Sequence, residues 1–156
     1  IVAAPHTSNW DGFWAMVYKV SISAEIHFFA KQSLFWFPLG TILGALGGIP
    51  LDRSRASSAV QQAIAMFEHE DSFYFGLAPE GTRTRKPGWK SGFYRIATGA
   101  NVPIYLGMLD FSNKRIGIGP RLDLTGDQEK DLEAIRAFYS GIKGRWPDKT
   151  SPIRFV

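Results

Sequence analysis

The sequence predicts a single α/β domain in which a mixed, largely parallel sheet is flanked by helices. Short apolar stretches with the length of strands alternate along the chain with longer stretches of helical periodicity, which is typical of β-α-β units. The length of 156 residues and the 45% hydrophobic content allow one well-buried core without disulfides or metals. Residues 1–156 are therefore interpreted as one domain.

The chain opens with an apolar stretch, Ile1–Ala4, which Pro5 closes and which we interpret as a buried strand. A helix is predicted over Ser8–Val20, and the next strand over Ile26–Ala30. The large apolar residues of this helix fall near one face; they are Phe13, Trp14, Val17 and Val20.

The segment Leu34–Leu51 contains no charged residue and approaches the length of a transmembrane helix. Pro38 and Pro50 interrupt it, so a continuous membrane-spanning helix is not expected. Its aromatic run, Leu34–Phe37, has two interpretations, a part of the core or a surface that faces a membrane.

The second half of the chain alternates in the same way, with apolar residues at helical spacing in its helices. The predicted elements are a helix over 55–70, a strand over 73–77, a helix over 89–98, strands over 102–109 and 114–118, and a helix over 127–143. The inward residues of the last helix are predicted to be Leu132, Ile135 and Phe138.

The charge and composition limit the classes of partner. The net charge of +4, from 18 basic and 14 acidic residues, favours anionic partners. Basic residues concentrate in Arg83–Lys90, but no nucleic-acid recognition motif accompanies them, so a membrane or a phosphate is predicted and nucleic acid is not. The chain has no cysteine, which excludes disulfides and thiol nucleophiles, and its three histidines lie far apart, so no metal is expected.

His6 and Asp11 form an H-x-x-x-x-D pattern directly after the first predicted strand. An imidazole accepts a proton at neutral pH, and an aspartate on its other nitrogen would fix the tautomer and stabilise the imidazolium. The chain has no Gly-x-Ser-x-Gly motif, which would supply a serine nucleophile, and no cysteine. The partner of this base would therefore be a substrate hydroxyl. The alternative is a helix N-terminus, with Ser8 or Asn9 as cap and Asp11 favoured by the helix dipole.

Two arginines, Arg53 and Arg83, supply the fork-shaped cations that match a phosphomonoester. The alternatives are a solvated loop charge for Arg53 and, for Arg83, a salt bridge to Glu80 or another nearby carboxylate. A carboxylate beside a phosphate is repelled by it, so Glu80 is expected to hold Arg83 or loop amides in place.

Four segments, His6–Asp11, Gly48–Arg53, Pro79–Arg83 and Val102–Ile104, follow the order and similar spacing of the four motif blocks of the glycerolipid acyltransferases. The chain resembles a 1-acylglycerol-3-phosphate acyltransferase domain over about two thirds of its length. One departure is Leu106, where the family often has a second proline.

The resemblance implies specific roles for the matched residues. His6 would be the general base and Asp11 its orienting partner, and neither role requires a cofactor. The residues implied to bind or shape the site of the acceptor's phosphate are Arg53, Glu80, Gly81, Thr82 and Arg83. The residues implied to line the substrate pocket are Val102, Pro103 and Ile104.

The activity implied is transfer of a fatty acyl group from acyl-CoA or acyl carrier protein to the free hydroxyl of a lysophosphatidic-acid-like lysophospholipid acceptor. The expected partners are these substrates and a membrane surface, and the expected location is cytoplasmic, peripherally associated with the cytoplasmic membrane. Because related domains often begin with helices before the first strand, we also expect an N-terminal segment that this sequence lacks. The alternatives are another lysolipid, hydroxyl or amine acceptor, a hydrolase, and a non-catalytic module that binds anionic lipids.

Overall fold

The computed structural model describes residues 1–51, 56–70 and 72–156. Its strands are β1 (Val2–Ala3), β2 (Ile26–Lys31), β3 (Gly48–Leu51), β4 (Tyr74–Leu77), β5 (Ile104–Asp110) and β6 (Arg115–Leu122). Its helices are α1 (Asn9–Ser21), α2 (Leu39–Ala45), α3 (Ala56–His69), α4 (Gly92–Gly99) and α5 (Gln128–Tyr139), with short 3₁₀ segments at Gln32–Leu34 and Pro147–Lys149.

One six-stranded sheet has the order β3-β2-β4-β1-β5-β6. Every pair in it is parallel except the hairpin of β5 and β6, which closes one edge. The predicted fold class is therefore confirmed. Since β1, β2, β4 and β5 run in the same direction, the residues that follow each of them emerge at a common carboxyl edge, where α/β sheets usually place their ligands.

The core lies between the central strands and the helices that cover them. Its buried apolar residues come from β1, β4, β5, α3, α4 and α5, and from the segment before α4; the largest are Trp89, Phe75, Phe93, Ile104, Leu106 and Ile135. The hydroxyl of Tyr139, at the end of α5, donates to the carbonyl oxygens of Ala3 (3.0 Å) and Gly107 (2.8 Å). This bifurcated contact ties α5 to the two strands beside the centre of the sheet.

Two predicted helices differ from the observed ones in their bounds. The helix predicted from Trp89 begins only at Gly92, because Trp89 is held in an extended bridge to Phe155. The last helix ends at Tyr139 rather than Lys143, since Gly141 and Gly144 follow and glycine is a weak helix former. The capping of this helix is regular: Asp127 accepts hydrogen bonds from the amides of the first turn.

The segment Leu34–Leu51, which has no charged residue, contains α2 and then β3, two elements that the sequence did not predict. Of the aromatic run, Trp36 is 58% and Phe37 86% exposed, so the interpretation of these residues as core is wrong. The predicted apolar face of α1 is also unburied: Phe13 and Val20 are 52% and 63% exposed. Among the described residues, no helix is long and apolar enough to cross a membrane.

Candidate active site

The site lies at the carboxyl edge of the sheet, where the chain leaves β1 and β4. These strands are parallel neighbours, with Val2 opposite Gly76. His6 follows β1 and Glu80 follows β4, so two segments separated by more than seventy positions in sequence become adjacent turns. The amide of His6 donates to Glu80 Oε2 at 2.8 Å, which joins the two turns directly.

Asp11 has an almost fully buried side chain that caps helix α1. Its Oδ2 accepts hydrogen bonds from the amides of Thr7 (2.5 Å) and Ser8 (2.8 Å), and its Oδ1 accepts one from the Ser8 hydroxyl at 2.8 Å. Ser8 is the N-cap residue and Asp11 is the third residue of the helix, which is the arrangement of a capping box. The helix-cap interpretation of the pattern therefore holds, and it fixes the Asp11 carboxylate in place.

The same carboxylate faces His6. Asp11 Oδ2 lies 3.8 Å from His6 Nδ1, beyond the length of a hydrogen bond, and Nδ1 is buried without a partner among the described residues. The two interpretations of the pattern are thus compatible. The Asp11 carboxylate caps α1, and it also lies near enough to His6 to stabilise a positive charge on the imidazole.

Burial keeps the His6 imidazole neutral. Desolvation lowers the pKa of His6 below its usual value of 6.5, the Asp11 carboxylate opposes this effect, and the Arg83 guanidinium adds to it. The imidazole is accordingly a free base at neutral pH. Such a side chain can accept a proton from a hydroxyl group placed against its exposed nitrogen.

Glu80 is 1% exposed and forms the floor between the two turns. Burial raises the pKa of Glu80 to about 7, although the hydrogen bond from the His6 amide acts in the opposite direction. In the described part of the chain, Glu80 forms neither a hydrogen bond nor an ion pair with Arg83. Of the two roles expected for Glu80, the structure therefore shows the second, holding a loop amide.

Arg83 reaches across the site to the first turn of α1. Its Nη1 donates to Asn9 Oδ1, and its exposed guanidinium lies near enough to His6 to affect the imidazole pKa. The ion pairs found within residues 1–51, 56–70 and 72–156 are those of His6, Arg121 and Arg136, so no described carboxylate neutralises Arg83. The expected salt bridge to Glu80 is absent from this part of the chain.

The turn between Glu80 and Arg83 depends on Gly81, whose φ of +64° lies in the left-handed region. A Cβ at this position would sit 3.5 Å from Lys90 Nζ, so the Lys90 ammonium lies over the turn. Thr82 Oγ1 is 3.1 Å from Thr84 Oγ1 and bonds within the loop. Lys90 and Asn9 are site residues that the sequence analysis did not assign, although each lies within or beside a motif block.

Arg53, one predicted component of the site, lies outside the described residues, and another, Val102–Ile104, lies away from His6. Val102, Pro103 and Ile104 lie at the amino end of β5: Pro103 accepts a hydrogen bond from the Ile1 ammonium, and Ile104 is fully buried. His6 follows the other end of the neighbouring β1, so these three residues lie away from the base, and their contact with the substrate stays a prediction.

The segment that follows α5 also contacts the site, although it is more than a hundred positions from His6 in sequence. Thr7 Oγ1 accepts a hydrogen bond from the Trp146 amide at 3.3 Å. A cavity of about 260 Å³ adjoins Thr7 and Asp11, and its other walls include Trp89, Tyr139 and Ser151. The interior side of the site therefore depends on residues that follow α5.

Comparison with known proteins gives two findings. Residues 1–105 match the family described as Acyltransferase. Among solved structures, the 1-acyl-sn-glycerophosphate acyltransferase PlsC from Thermotoga maritima has a similar fold, with a TM-score of 0.64 and 22% identity over 93% of this chain. The chain spans 66% of the length of that protein. No curated protein matches the chain.

Proposed function

Because the chain belongs to the Acyltransferase family, we propose that it transfers a fatty acyl group from a thioester to the free hydroxyl of a lysophosphatidic-acid-like acceptor. The donor would be acyl-CoA or acyl carrier protein. One observation carries the proposal: a half-buried, neutral histidine lies beside an arginine that no described carboxylate neutralises. The similar fold of an acyltransferase for 1-acyl-sn-glycerophosphate supports the class of acceptor.

The proposed reaction needs no covalent enzyme intermediate. The imidazole of His6 takes the proton of the acceptor hydroxyl while the oxygen attacks the thioester carbonyl. The tetrahedral intermediate then expels the thiolate, which takes up the proton from the imidazolium, so that the products are an ester and a thiol. Since Nδ1 faces Asp11 at 3.8 Å, Nε2 is the nitrogen left to contact the acceptor.

Asp11 stabilises the imidazolium that forms during this step. It is held by the hydrogen bonds of the helix cap, so no reorganisation accompanies the change of charge on His6. The arrangement of a fixed carboxylate behind an imidazole serves the same purpose in other hydrolytic and transfer sites.

The acceptor's phosphate is assigned to the cations around the Glu80–Arg83 turn. The Arg83 fork can donate two parallel hydrogen bonds to a phosphomonoester, and the Lys90 ammonium over Gly81 adds a second charge. Asn9 holds Arg83 on the side of the turn where His6 lies. A phosphate bound here would place the glycerol hydroxyl within reach of the base.

The test is thiol release from palmitoyl-CoA, measured with and without lysophosphatidic acid. Release should require the acceptor, and His6→Ala should lower its rate by roughly 10²–10⁴-fold, the scale of general-base removal. His69→Ala, which removes an exposed histidine at the end of α3, is the matched control and should leave the rate unchanged. Release that does not need the acceptor would identify a thioesterase instead, and full activity in His6→Ala would refute the mechanism.

A further inference from the structure

A second groove lies beside the hairpin turn that joins β5 to β6. It has a volume of about 450 Å³, within the range of small-ligand sites. Its walls include the rings of Trp14 and Phe111, and three cations, Lys114, Arg115 and Arg145, line it as well. Since the turn follows the carboxyl end of β5, the groove is at the same edge of the sheet as His6.

Arg145 is the most constrained of these cations. Its guanidinium carbon lies 5.7 Å from the ring centre of Trp10, 5.9 Å from that of Phe111 and 5.5 Å from that of Trp146. Contacts with three aromatic rings restrict the side chain while leaving its N–H donors free. No salt bridge forms to Arg145 within the described ranges.

The groove carries a net positive charge. Asp110 is its one acidic lining residue, and both of its carboxylate oxygens accept hydrogen bonds from Ser112 and Asn113 in the hairpin turn. These hydrogen bonds lower the pKa of Asp110 to about 2, so it stays ionised but is engaged by the turn. The three cations are left to an external anion.

The groove and the proposed phosphate site adjoin different parts of the segment that contains His6. Trp10 contacts Arg145, and Thr7 bonds the Trp146 amide, whereas Asn9 bonds Arg83. Two separate groups of cations thus border the segment that contains His6. A reaction between two anionic substrates requires such a division, because each substrate needs its own anchor.

We infer that this groove binds the nucleotide end of a coenzyme A thioester, an inference that rests on the proposed function. The adenine ring would stack on the aromatic walls, and the phosphates would contact Lys114, Arg115 and Arg145. A carrier-protein donor presents a single phosphodiester and no base, and would leave the aromatic walls empty. Coenzyme A combines a planar ring with several phosphates, so it matches both the aromatic and the cationic residues that line the groove.

Direct binding is the first test, since it does not depend on catalysis. Coenzyme A added to the protein should bind with a measurable dissociation constant by titration calorimetry. Arg145→Ala and, separately, Arg115→Ala should weaken binding by about 10-fold, the scale of one charge-assisted hydrogen bond. Arg121→Ala is the matched control, because this exposed β6 arginine pairs with Asp123 and lies toward the other end of the strand. Arg115 is in an exposed position, so its variant tests the groove if Arg145→Ala fails to fold.

A kinetic comparison separates the failure of this inference from failure of the proposed function. With palmitoyl-CoA, both variants should raise the Michaelis constant of the donor about 10-fold without affecting that of the acceptor. With palmitoyl-pantetheine, which lacks the nucleotide, they should match the wild type.

Two outcomes would overturn the groove assignment while leaving acyl transfer in place. One is an equal effect of the variants on both thioesters. The other is a wild type that uses acylated acyl carrier protein as donor but does not bind coenzyme A. Coenzyme A binding by a wild type that transfers no acyl group to any acceptor would reject the proposed function alone.

Discussion

Asp11 combines two roles through a single carboxylate. Its hydrogen bonds from Thr7 and Ser8 begin α1, and its Oδ2 faces His6 Nδ1 at 3.8 Å. A residue fixed by a helix cap is better placed to stabilise a transient imidazolium than one on a mobile loop. The two interpretations of the H-x-x-x-x-D pattern therefore describe the same geometry.

Substitutions at Asp11 should separate these roles. Asp11→Asn keeps one acceptor oxygen for the cap but removes the charge that raises the His6 pKa, so the acidic limb of the rate profile should move to lower pH. The maximal rate should also fall by roughly 10²-fold or more. Asp11→Ala should additionally destabilise the fold by about 1–2 kcal/mol, the usual cost of a lost cap. The measurements are kcat/KM against pH and urea unfolding, with Asp123→Asn as control.

Glu80 predicts a pH dependence of stability. Its folded pKa of about 7 lies above the usual value of 4.5, so between these pH values the folded state binds more protons than the unfolded state. Stability should therefore fall as pH rises from about 4.5 to 7, by up to roughly 3 kcal/mol from this group. The lowered pKa of His6 makes stability rise with pH below 6.5, but this effect is the same in the wild type and in a variant changed only at Glu80.

Glu80→Gln isolates this contribution, because the amide keeps an oxygen to accept from the His6 backbone and cannot ionise. Urea unfolding at pH 5 and pH 8 should show a smaller loss of stability in the variant than in the wild type. An identical loss in both proteins would mean that Glu80 is already ionised in the fold at pH 5.

The approach of His6 to Asp11 was predictable because it is local. The two residues are five positions apart, and they flank the start of a helix that follows a strand. Asn9 lies within the H-x-x-x-x-D pattern and Lys90 within the basic run, but their contacts with the Glu80–Arg83 turn, like those of Arg145 with Trp10, depend on packing between distant segments. Arg145 follows Gly144, and contacts of that segment with Thr7 and Phe111 place it beside the first turn of α1.

At the scale of elements, helical periodicity predicted α1, α3 and α5, but it could not predict what covers a helix. The apolar face of α1 is exposed although its spacing resembles that of a buried face. The elements α2 and β3 were missed since the prolines and glycines of Leu34–Leu51 were used only to exclude a continuous membrane-spanning helix, and no shorter element was assigned there. Proline occupies the position just before α2, and in β3 Pro50 lies in an edge strand, where it displaces no hydrogen bond that the sheet needs.

Tyr139 shows how one element is secured to others. Its hydroxyl bonds the carbonyls of Ala3 and Gly107, so Tyr139→Phe should destabilise the fold by about 1–3 kcal/mol. The exposed Tyr74, which makes no described side-chain hydrogen bond, provides the control Tyr74→Phe, expected to have no effect. Urea unfolding of the two variants measures the difference. Equal stabilities would show that the Tyr139 hydroxyl contributes nothing to the docking of α5.

At the scale of the whole molecule, the alternation of strands and helices around a largely parallel sheet could be predicted, and with it the carboxyl edge at which the site lies. The contribution of the chain after α5 could not, because nothing in that segment resembles a motif and its contacts cross more than a hundred positions. The position of Val102–Ile104 at the end of the strand away from His6 could not be predicted for a related reason. A motif match gives the order of segments along the chain but not the end of the strand at which each one lies.

The same edge of the sheet carries an exposed aromatic surface, Trp36 and Phe37, in the segment that follows β2. A lipid substrate has to leave a bilayer to reach His6, and aromatic side chains at this edge can enter the interface while the net charge of +4 attracts anionic headgroups. We propose that this surface attaches the protein peripherally to a membrane. Attachment here would shorten the path of the acceptor from bilayer to base.

Sedimentation with vesicles that contain anionic lipid tests this attachment. Trp36→Ser and Phe37→Ser should each reduce the partition coefficient of the protein between vesicles and solution by about 10-fold, since burying a large apolar side chain contributes about 1.5–3 kcal/mol. Tyr74→Ser is the control, because Tyr74 is nearly as exposed as Trp36 but lies at the amino end of β4, on the opposite edge of the sheet. Raising the salt concentration should weaken binding of all variants together, as the electrostatic part is screened. If Tyr74→Ser weakened binding as much as Trp36→Ser, the membrane would contact the molecule without a preferred edge, and access of lipid to the site would need another route.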